Sequence, residues 1–142
     1  MPGVRCSVVH SKQMNTLGYR VTDQNGLSFE LLFDGRPLSK LIGARDTPIP
    51  FWLFEKGMSG LPPYSPERGD EVRIVAVCQC GEYGCGRSLC RVVHEDDSVL
   101  FRDFEGDLGS EKSLKEYRFS SDNYSSVISE MVKQASEYET RT

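Results

Sequence analysis

Alternating apolar and polar positions dominate the first two thirds of the chain and predict short β-strands. Residues 18–22 and 27–33 flank Asn25 and Gly26, a dipeptide that favours a tight hairpin turn because both residues accept a positive φ. An apolar-rich run at residues 4–10 is read as another strand. Residues 72–80 are apolar on both faces, which is typical of a central strand. Strands at residues 88–94 and 99–104 follow, joined by a polar turn at 95–98.

The last part of the chain predicts one amphipathic helix. Its apolar residues recur at helical spacing and form one stripe: Tyr124, Val127, Ile128, Met131, Val132, Ala135 and Tyr138. Ser121 or Asp122 is a natural N-cap. We therefore expect a mainly β (α+β) fold in one domain over residues 1–142: an antiparallel sheet or sandwich of about six to eight strands with the C-terminal helix packed on it.

Five prolines punctuate residues 47–66 and exclude a long helix or a central strand there. Within this stretch lies the apolar cluster of residues 51–54. One interpretation is a loop whose aromatic residues anchor it in the core. The other is an exposed aromatic anchor for a partner, with Trp52 and Phe54 as the contact residues.

The length, composition and charge of the chain favour a single-domain protein with a protein partner over a membrane or nucleic-acid-binding protein. A chain of 142 residues fits one domain, and 38% hydrophobic residues suffice for one core. No apolar run approaches the length of a membrane helix, and the N-terminus lacks the apolar segment of a signal peptide, so we expect a cytoplasmic protein without membrane contact. The net charge of −4 comes entirely from residues 72–142. This acidic balance argues against nucleic acid and favours a basic protein partner.

Five cysteines, Cys6, Cys78, Cys80, Cys85 and Cys90, are an odd number that argues against a disulfide framework. The last four invite a zinc interpretation, with His94 as an alternative ligand in place of one thiolate. Their spacing lacks the usual C-x2-C knuckle. The alternatives are small hydrophobic cysteines around a glycine-rich turn, or a redox or catalytic thiol. We expect no cofactor, with zinc at Cys78, Cys80, Cys85 and Cys90 as the alternative.

Residues 80–85, Cys-Gly-Glu-Tyr-Gly-Cys, resemble the C-G-[DE]-x-G-C turn motif of a family of small uncharacterised bacterial proteins. Residues 33–38, 89–93 and 99–104 are similar to further family segments, and Phe101 stands where the family has tryptophan. The resemblance spans about residues 29–138. It implies a shared fold and a bacterial origin, but no catalytic residues, because the family has no established activity. It also implies that Cys80 and Cys85 recur as a pair near enough for a disulfide or a shared metal, whereas Cys78 and Cys90 fall outside the pattern.

No constellation in the sequence marks an enzyme. Only His10 and His94 are available as histidines, and nothing local pairs His94 with Cys85 or Cys90. Asp103 lies on a predicted strand and is read as solvent-facing rather than as a general base. The glycines of residues 81–86 are not followed by a lysine and a helix, which excludes a phosphate-binding loop.

The acidic segment at residues 94–111 holds seven carboxylates and one arginine. A solvated hairpin is the plain interpretation. The functional one is a partner-binding acidic surface made of Glu95, Asp96, Asp97, Asp103, Glu105 and Asp107. Bacterial immunity proteins are often small, acidic and cytoplasmic, and they block a cognate toxin by charge complementarity. We therefore expect a non-enzymatic, immunity-type inhibitor of a toxin such as a basic nuclease. The alternatives are a zinc- or thiol-based regulatory domain centred on residues 78–90 and a small enzyme without a recognisable motif.

Overall fold

Eight β-strands and a long C-terminal helix account for most of the regular structure in the residues that the computed structural model describes, 14–23, 26–57, 60–78 and 85–141. In chain order the elements are β1 (Leu17–Asp23), β2 (Leu27–Phe33), β3 (Arg36–Pro37), α1 (Leu38–Ile42), β4 (Ile49–Pro50), α2 (Phe51–Gly57), β5 (Val72–Val77), β6 (Arg87–His94), β7 (Ser98–Gly106), β8 (Tyr117–Ser120) and α3 (Ser121–Arg141). Both sheets are four-stranded and antiparallel, which confirms the expected mainly β class.

The first sheet is built on the hairpin of β1 and β2, whose register runs from Leu17 opposite Phe33 to Asp23 opposite Leu27. Strands β3 and β4 pair with the other side of β2. The predicted hairpin is confirmed, and Gly26 has a φ of 102° directly before β2 begins. Residues 24–25, and the strand predicted at 4–10, lie outside the described residues.

The second sheet is a simple meander with the strand order β5-β6-β7-β8. The strands predicted at residues 88–94 and 99–104 are both present as β6 and β7. The prediction that residues 72–80 form a central strand is wrong, because β5 stands at the end of this order. Its apolar residues on both faces are buried. Its outer edge is also covered, because the Ile74 amide donates to the Pro62 carbonyl at 2.8 Å and the Val77 amide to the Pro48 carbonyl at 2.9 Å.

The two sheets are tied together at both edges. The bond from Val77 to Pro48 joins β5 to the residues just before β4. On the opposite side, the Asn15 amide donates to the Arg118 carbonyl in β8 at 2.7 Å. The loop after β7 adds a third tie, because the Ser110 amide donates to the Ile42 carbonyl of α1 at 2.7 Å. The core therefore lies between two sheets whose relative placement is fixed by main-chain hydrogen bonds.

Aromatic rings fill the centre of that core. Phe33 of the first sheet reaches across to β7 and β8, where its ring centroid lies 5.9 Å from that of Phe101, 4.6 Å from that of Tyr117 and 5.8 Å from that of Phe119. Edge-on and tilted contacts of this kind add about 0.5–1.5 kcal/mol each to the gain from burial. This cluster therefore sets how the sheets pack.

A β-bulge interrupts β7. Leu89 of β6 lies opposite Glu105, whereas Arg91 lies opposite Arg102, so β7 carries one extra residue over this interval. Asp103 takes up the irregularity with a φ of 54°, in the left-handed region that aspartate tolerates better than most residues.

The bulge explains an irregular spacing in the sequence. Phe101 and Phe104 are both buried, although residues three apart on a regular strand face opposite sides. The extra residue at Asp103 returns Phe104 to the inner face, where its ring lies 6.1 Å from that of Phe33. The same extra residue leaves the Asp103 side chain on the surface.

Helix α3 packs its buried residues Ile128, Met131 and Ala135 against the core, on the predicted stripe. It contacts α2, β1, β7 and β8. The predicted N-cap is displaced by one residue, because the Ser120 hydroxyl accepts the Asn123 amide at 3.0 Å.

A buried carboxylate fixes the loop that follows β7. Glu111 is 1% exposed. Its Oε2 accepts from the Ser88 hydroxyl at 2.6 Å and from the Leu108 amide at 2.9 Å, and its Oε1 accepts from the Gly109 amide at 3.2 Å. Gly106 leaves room for this arrangement, since a Cβ there would lie 2.7 Å from Glu111 Oε2. The loop is thus held from within.

A second buried carboxylate, Glu30, links β2 to the segment around α1. It accepts from Arg20 Nη2 at 2.6 Å, from the Thr47 hydroxyl at 2.7 Å and from the Ser39 amide at 3.3 Å. Burial alone would raise the pKa of Glu30, but these hydrogen bonds and the charge of Arg20 together lower it. The ionised carboxylate is therefore the form that the fold stabilises.

Candidate functional site

The hairpin tip between β6 and β7 carries the densest exposed charge in the predicted acidic surface. Asp96 and Asp97 are exposed, and within the described parts of the chain their side chains make no hydrogen bond or ion pair. Glu95 beside them accepts from Arg118 at 2.6 Å. The tip is held in place from below, because the Ser121 amide at the start of α3 donates to the Asp97 carbonyl at 3.0 Å. Two unbalanced carboxylates thus stand on a rigid support.

Asp103 lies in a different environment, at the bulge. Its carboxylate has Arg91 Nε at 3.6 Å and Arg102 Nε at 3.9 Å, which are ion-pair distances too long for hydrogen bonds. Arg91 also bonds Glu71 at 3.1 Å. The Asp103 side chain is 67% exposed. Its charge is therefore flanked by two guanidinium groups, while its oxygen atoms keep their hydrogen-bonding capacity.

Glu105 and Asp107 extend this second group along β7. Glu105 forms an ion pair with Arg68, which reaches over the sheet from the 3-10 turn Pro66–Arg68. Asp107 accepts from the Arg87 amide at 3.0 Å. We call Asp103, Glu105 and Asp107 the bulge group, and Glu95, Asp96 and Asp97 the tip group.

The six residues proposed as one acidic surface thus lie in two places. Six residue steps, mostly along β7, separate Asp97 from Asp103, which is about 20 Å of extended chain at roughly 3.3 Å per residue. Arginine side chains lie beside two of the three carboxylates of the bulge group, whereas Asp96 and Asp97 of the tip group have no such neighbour in the described chain. Asp96 and Asp97 therefore present uncompensated negative charge at the hairpin tip.

Sequence reasoning counted the acidic residues and did not anticipate the arginines beside them. The signal was available in β6, where Arg87, Leu89 and Arg91 recur at every second position and so share one face. The register places Arg91 opposite Arg102 and Leu89 opposite Glu105, on the face turned away from the first sheet. This face of the second sheet, which carries arginine, carboxylate and apolar side chains together, is called the mixed face, and it is the main feature that the sequence analysis missed.

The cysteines do not converge on one site in the described chain. Cys90 is buried in β6, and burial raises the pKa of its thiol, to which the charge of Asp103 adds. It therefore stays protonated at neutral pH and does not fit a nucleophile. Cys78 and Cys85 flank the β5–β6 connection, where the Cys78 amide donates to the Gly86 carbonyl at 2.8 Å. Cys6 and Cys80 lie outside the described residues, and within those residues no cluster of His, Cys, Asp and Glu is arranged to hold a metal ion.

His94 ends β6 and lies edge-on to the ring of Tyr124, with centroids 5.5 Å apart. Four residue steps of extended chain separate it from Cys90, about 13 Å at roughly 3.3 Å per residue. A Cys90–His94 dyad is therefore excluded by geometry. His10 lies outside the described residues.

The aromatic cluster at residues 51–54 forms α2 rather than a loop, and the helix divides its members. Phe51 stacks on Phe29 with centroids 4.3 Å apart, and Phe54, at 0% exposure, lies edge-on to the same ring at 5.2 Å. The prediction of Phe54 as a partner contact is corrected, because it belongs to the core. Trp52 is 49% exposed and remains a candidate for contact.

None of the helices in the described ranges has the length and apolar character needed to cross a membrane. No protein-family model, curated protein or solved structure matches the chain.

Proposed function

We propose that the protein is a non-enzymatic binding protein that docks its tip group onto a basic surface of a protein partner. Its role is that of an immunity-type inhibitor, and the partner class is a bacterial toxin with a basic active site, such as a nuclease. The observation that supports this most directly is the contrast along β7: Asp103 and Glu105 of the bulge group have arginine neighbours, whereas Asp96 and Asp97 are exposed and uncompensated.

The contacts that hold the hairpin tip in place should increase its affinity for a partner, in addition to the effect of its charge. Binding costs free energy for every side chain and loop that must be ordered. The main-chain bond from Ser121 to Asp97 and the ion pair of Glu95 with Arg118 fix the backbone before a partner arrives. Complementary charge on such a tip raises the association rate, and this gain falls with ionic strength.

The test uses a charge-reversed variant, Asp96→Lys with Asp97→Lys, and a matched control, Asp23→Lys with Glu137→Lys. Both control positions are exposed and lie outside the tip group, and the change in net charge is the same. Each tagged protein is used to capture partners from the native host, and bound proteins are identified by mass spectrometry. The captured partner is then assayed for nuclease activity with and without added wild-type protein.

We expect one stoichiometric basic protein on the wild type and the control but not on the tip variant. Its association rate at low salt should fall about tenfold or more for the tip variant, and its nuclease activity should be inhibited by the wild type. A partner held equally by the tip variant, or one whose toxic activity the protein leaves unchanged, would contradict the proposal.

A further inference from the structure

A small cleft lies on the mixed face of the second sheet, at the bulge end of β7. Its volume is about 230 Å³, below the roughly 300–1,000 Å³ of a drug-sized ligand site. It is lined by Arg68, Val72, Leu89, Cys90, Arg91, Asp103 and Glu105. The size suits one small metabolite rather than a nucleotide cofactor or a peptide.

The lining divides into an apolar floor and a charged rim. Val72 and Leu89 supply the apolar side chains of the floor, and both are buried. Leu89 shares its strand face with the half-exposed Arg91, and it is buried although that face carries charged side chains. The floor therefore presents an apolar surface, shielded from bulk solvent, to a ligand that enters between the charged side chains of the rim.

The rim carries two cations and two anions. Arg68 is paired with Glu105, and Arg91 lies 3.6 Å from Asp103, so both signs are present within one small opening. All four side chains are at least a third exposed, and exposed pairs of this kind contribute only about 0–1 kcal/mol each. A ligand with its own carboxylate and ammonium can therefore exchange with these pairs at little cost.

We propose that this cleft binds a free α-amino acid with an apolar side chain of moderate size. The ligand carboxylate accepts from Arg68 and Arg91, the ammonium group donates to Asp103 and Glu105, and the side chain lies on Leu89. A ligand carrying one charge alone leaves one sign of the rim unmatched. The site lies at the other end of β7 from the tip group and does not depend on the function proposed for it.

The bulge fits this assignment. It holds the Asp103 carboxylate exposed at the cleft, with oxygen atoms that make no hydrogen bond in the described chain. The packing of Phe104 requires an extra residue at position 103 but does not require any particular side chain there. Glycine would adopt the left-handed conformation at this position more easily than aspartate. The carboxylate is therefore the part of this residue that the fold leaves unexplained.

The test is a titration of the full chain with four probes, followed by the methyl resonances of Leu89 and Val72 and by calorimetry. L-leucine carries both charges and the side chain. 4-Methylpentanoate lacks the ammonium group, 3-methylbutylamine lacks the carboxylate, and glycine lacks the side chain. We expect L-leucine to shift both methyl signals and to bind about tenfold or more tightly than each of the others, since each lacks one of the contacts.

Two variants separate recognition from folding. Asp103→Asn keeps the shape of the side chain and tolerates the left-handed backbone, and Arg68→Gln removes one cation from the rim. Each should weaken L-leucine binding about tenfold, whereas Glu116→Gln, an exposed carboxylate outside the lining of the cleft, should have no effect. Equal binding of L-leucine and 4-methylpentanoate, unchanged binding by Asp103→Asn, or no shift at Leu89 up to the solubility limit would overturn the assignment.

Discussion

The buried carboxylate of Glu111 gives the sharpest test of how the loop after β7 is held. In Glu111→Gln the single carbonyl oxygen can replace Oε2 and accept from Ser88 and Leu108. The new NH2 group then faces the Gly109 amide, which donates to Oε1 at 3.2 Å in the wild type, so two donors oppose each other. One hydrogen bond is lost and the other two lose the strength that the charge gave them.

Loss of charge-assisted hydrogen bonds at a buried group costs about 1.5–3 kcal/mol of the free energy of unfolding. At about 3–4 °C per kcal/mol for a domain of this size, the melting temperature should fall by roughly 5–12 °C. Urea denaturation and thermal melting at neutral pH measure both quantities. The matched control is Glu116→Gln, whose side chain is exposed, and it should stay within about 0.5 kcal/mol of the wild type. If Glu111→Gln melts with the wild type, the carboxylate does not hold the loop and the reasoning fails.

Two further predictions concern the carboxylate of the first sheet and the stripe of α3. Thr47→Val removes a hydrogen bond that keeps the pKa of Glu30 low. Ionised Glu30 stabilises the fold above the ordinary carboxyl pKa, and this contribution is lost as the pH falls through the pKa of the folded state. The variant should therefore gain less stability from the ionised carboxylate than the wild type does. The difference in melting temperature from the wild type should be largest near neutral pH and should diminish in acid; a difference that grows in acid would contradict this account. Met131→Ala should cost about 2–5 kcal/mol in urea denaturation. Val127→Ala, at a half-buried position of the same helix, should cost clearly less, and the opposite order would show that the buried face is assigned wrongly.

Local patterns in the sequence were enough for the elements that depend on neighbours in the chain. The hairpin of β1 and β2 follows from alternation on both sides of a turn ending in Gly26, and α3 follows from the spacing of apolar residues such as Ile128 and Met131. Both signals repeat over several residues, so a single atypical position does not hide them. The packing of α3 on the sheets was also predictable, because an apolar stripe must be covered.

The elements that sequence reasoning missed depend on contacts distant in the chain. The run from Phe51 to Phe54 is too short for its period to show, and only the contacts of Phe51 and Phe54 with Phe29 of β2 decide which residues turn inward. Trp52 faces outward as a consequence. Similarly, β5 has the apolar pattern of a central strand, but its outer neighbours are the Pro48 and Pro62 carbonyls rather than another strand of its sheet, and no local pattern reveals this.

The acidic segment shows how sheet geometry changes the meaning of a charge run. The carboxylates of residues 95–107 are close together in the chain, but Asp97 and Asp103 are separated by about 20 Å of extended chain at roughly 3.3 Å per residue. The Debye length at physiological ionic strength is about 8 Å, so the tip group and the bulge group are largely screened from each other. Charge reversal at the tip should therefore leave amino-acid binding at the cleft unchanged, and Asp103→Asn should leave association with a basic partner unchanged. The two ends of one strand can carry separate recognition functions because the strand is longer than the distance over which their charges interact.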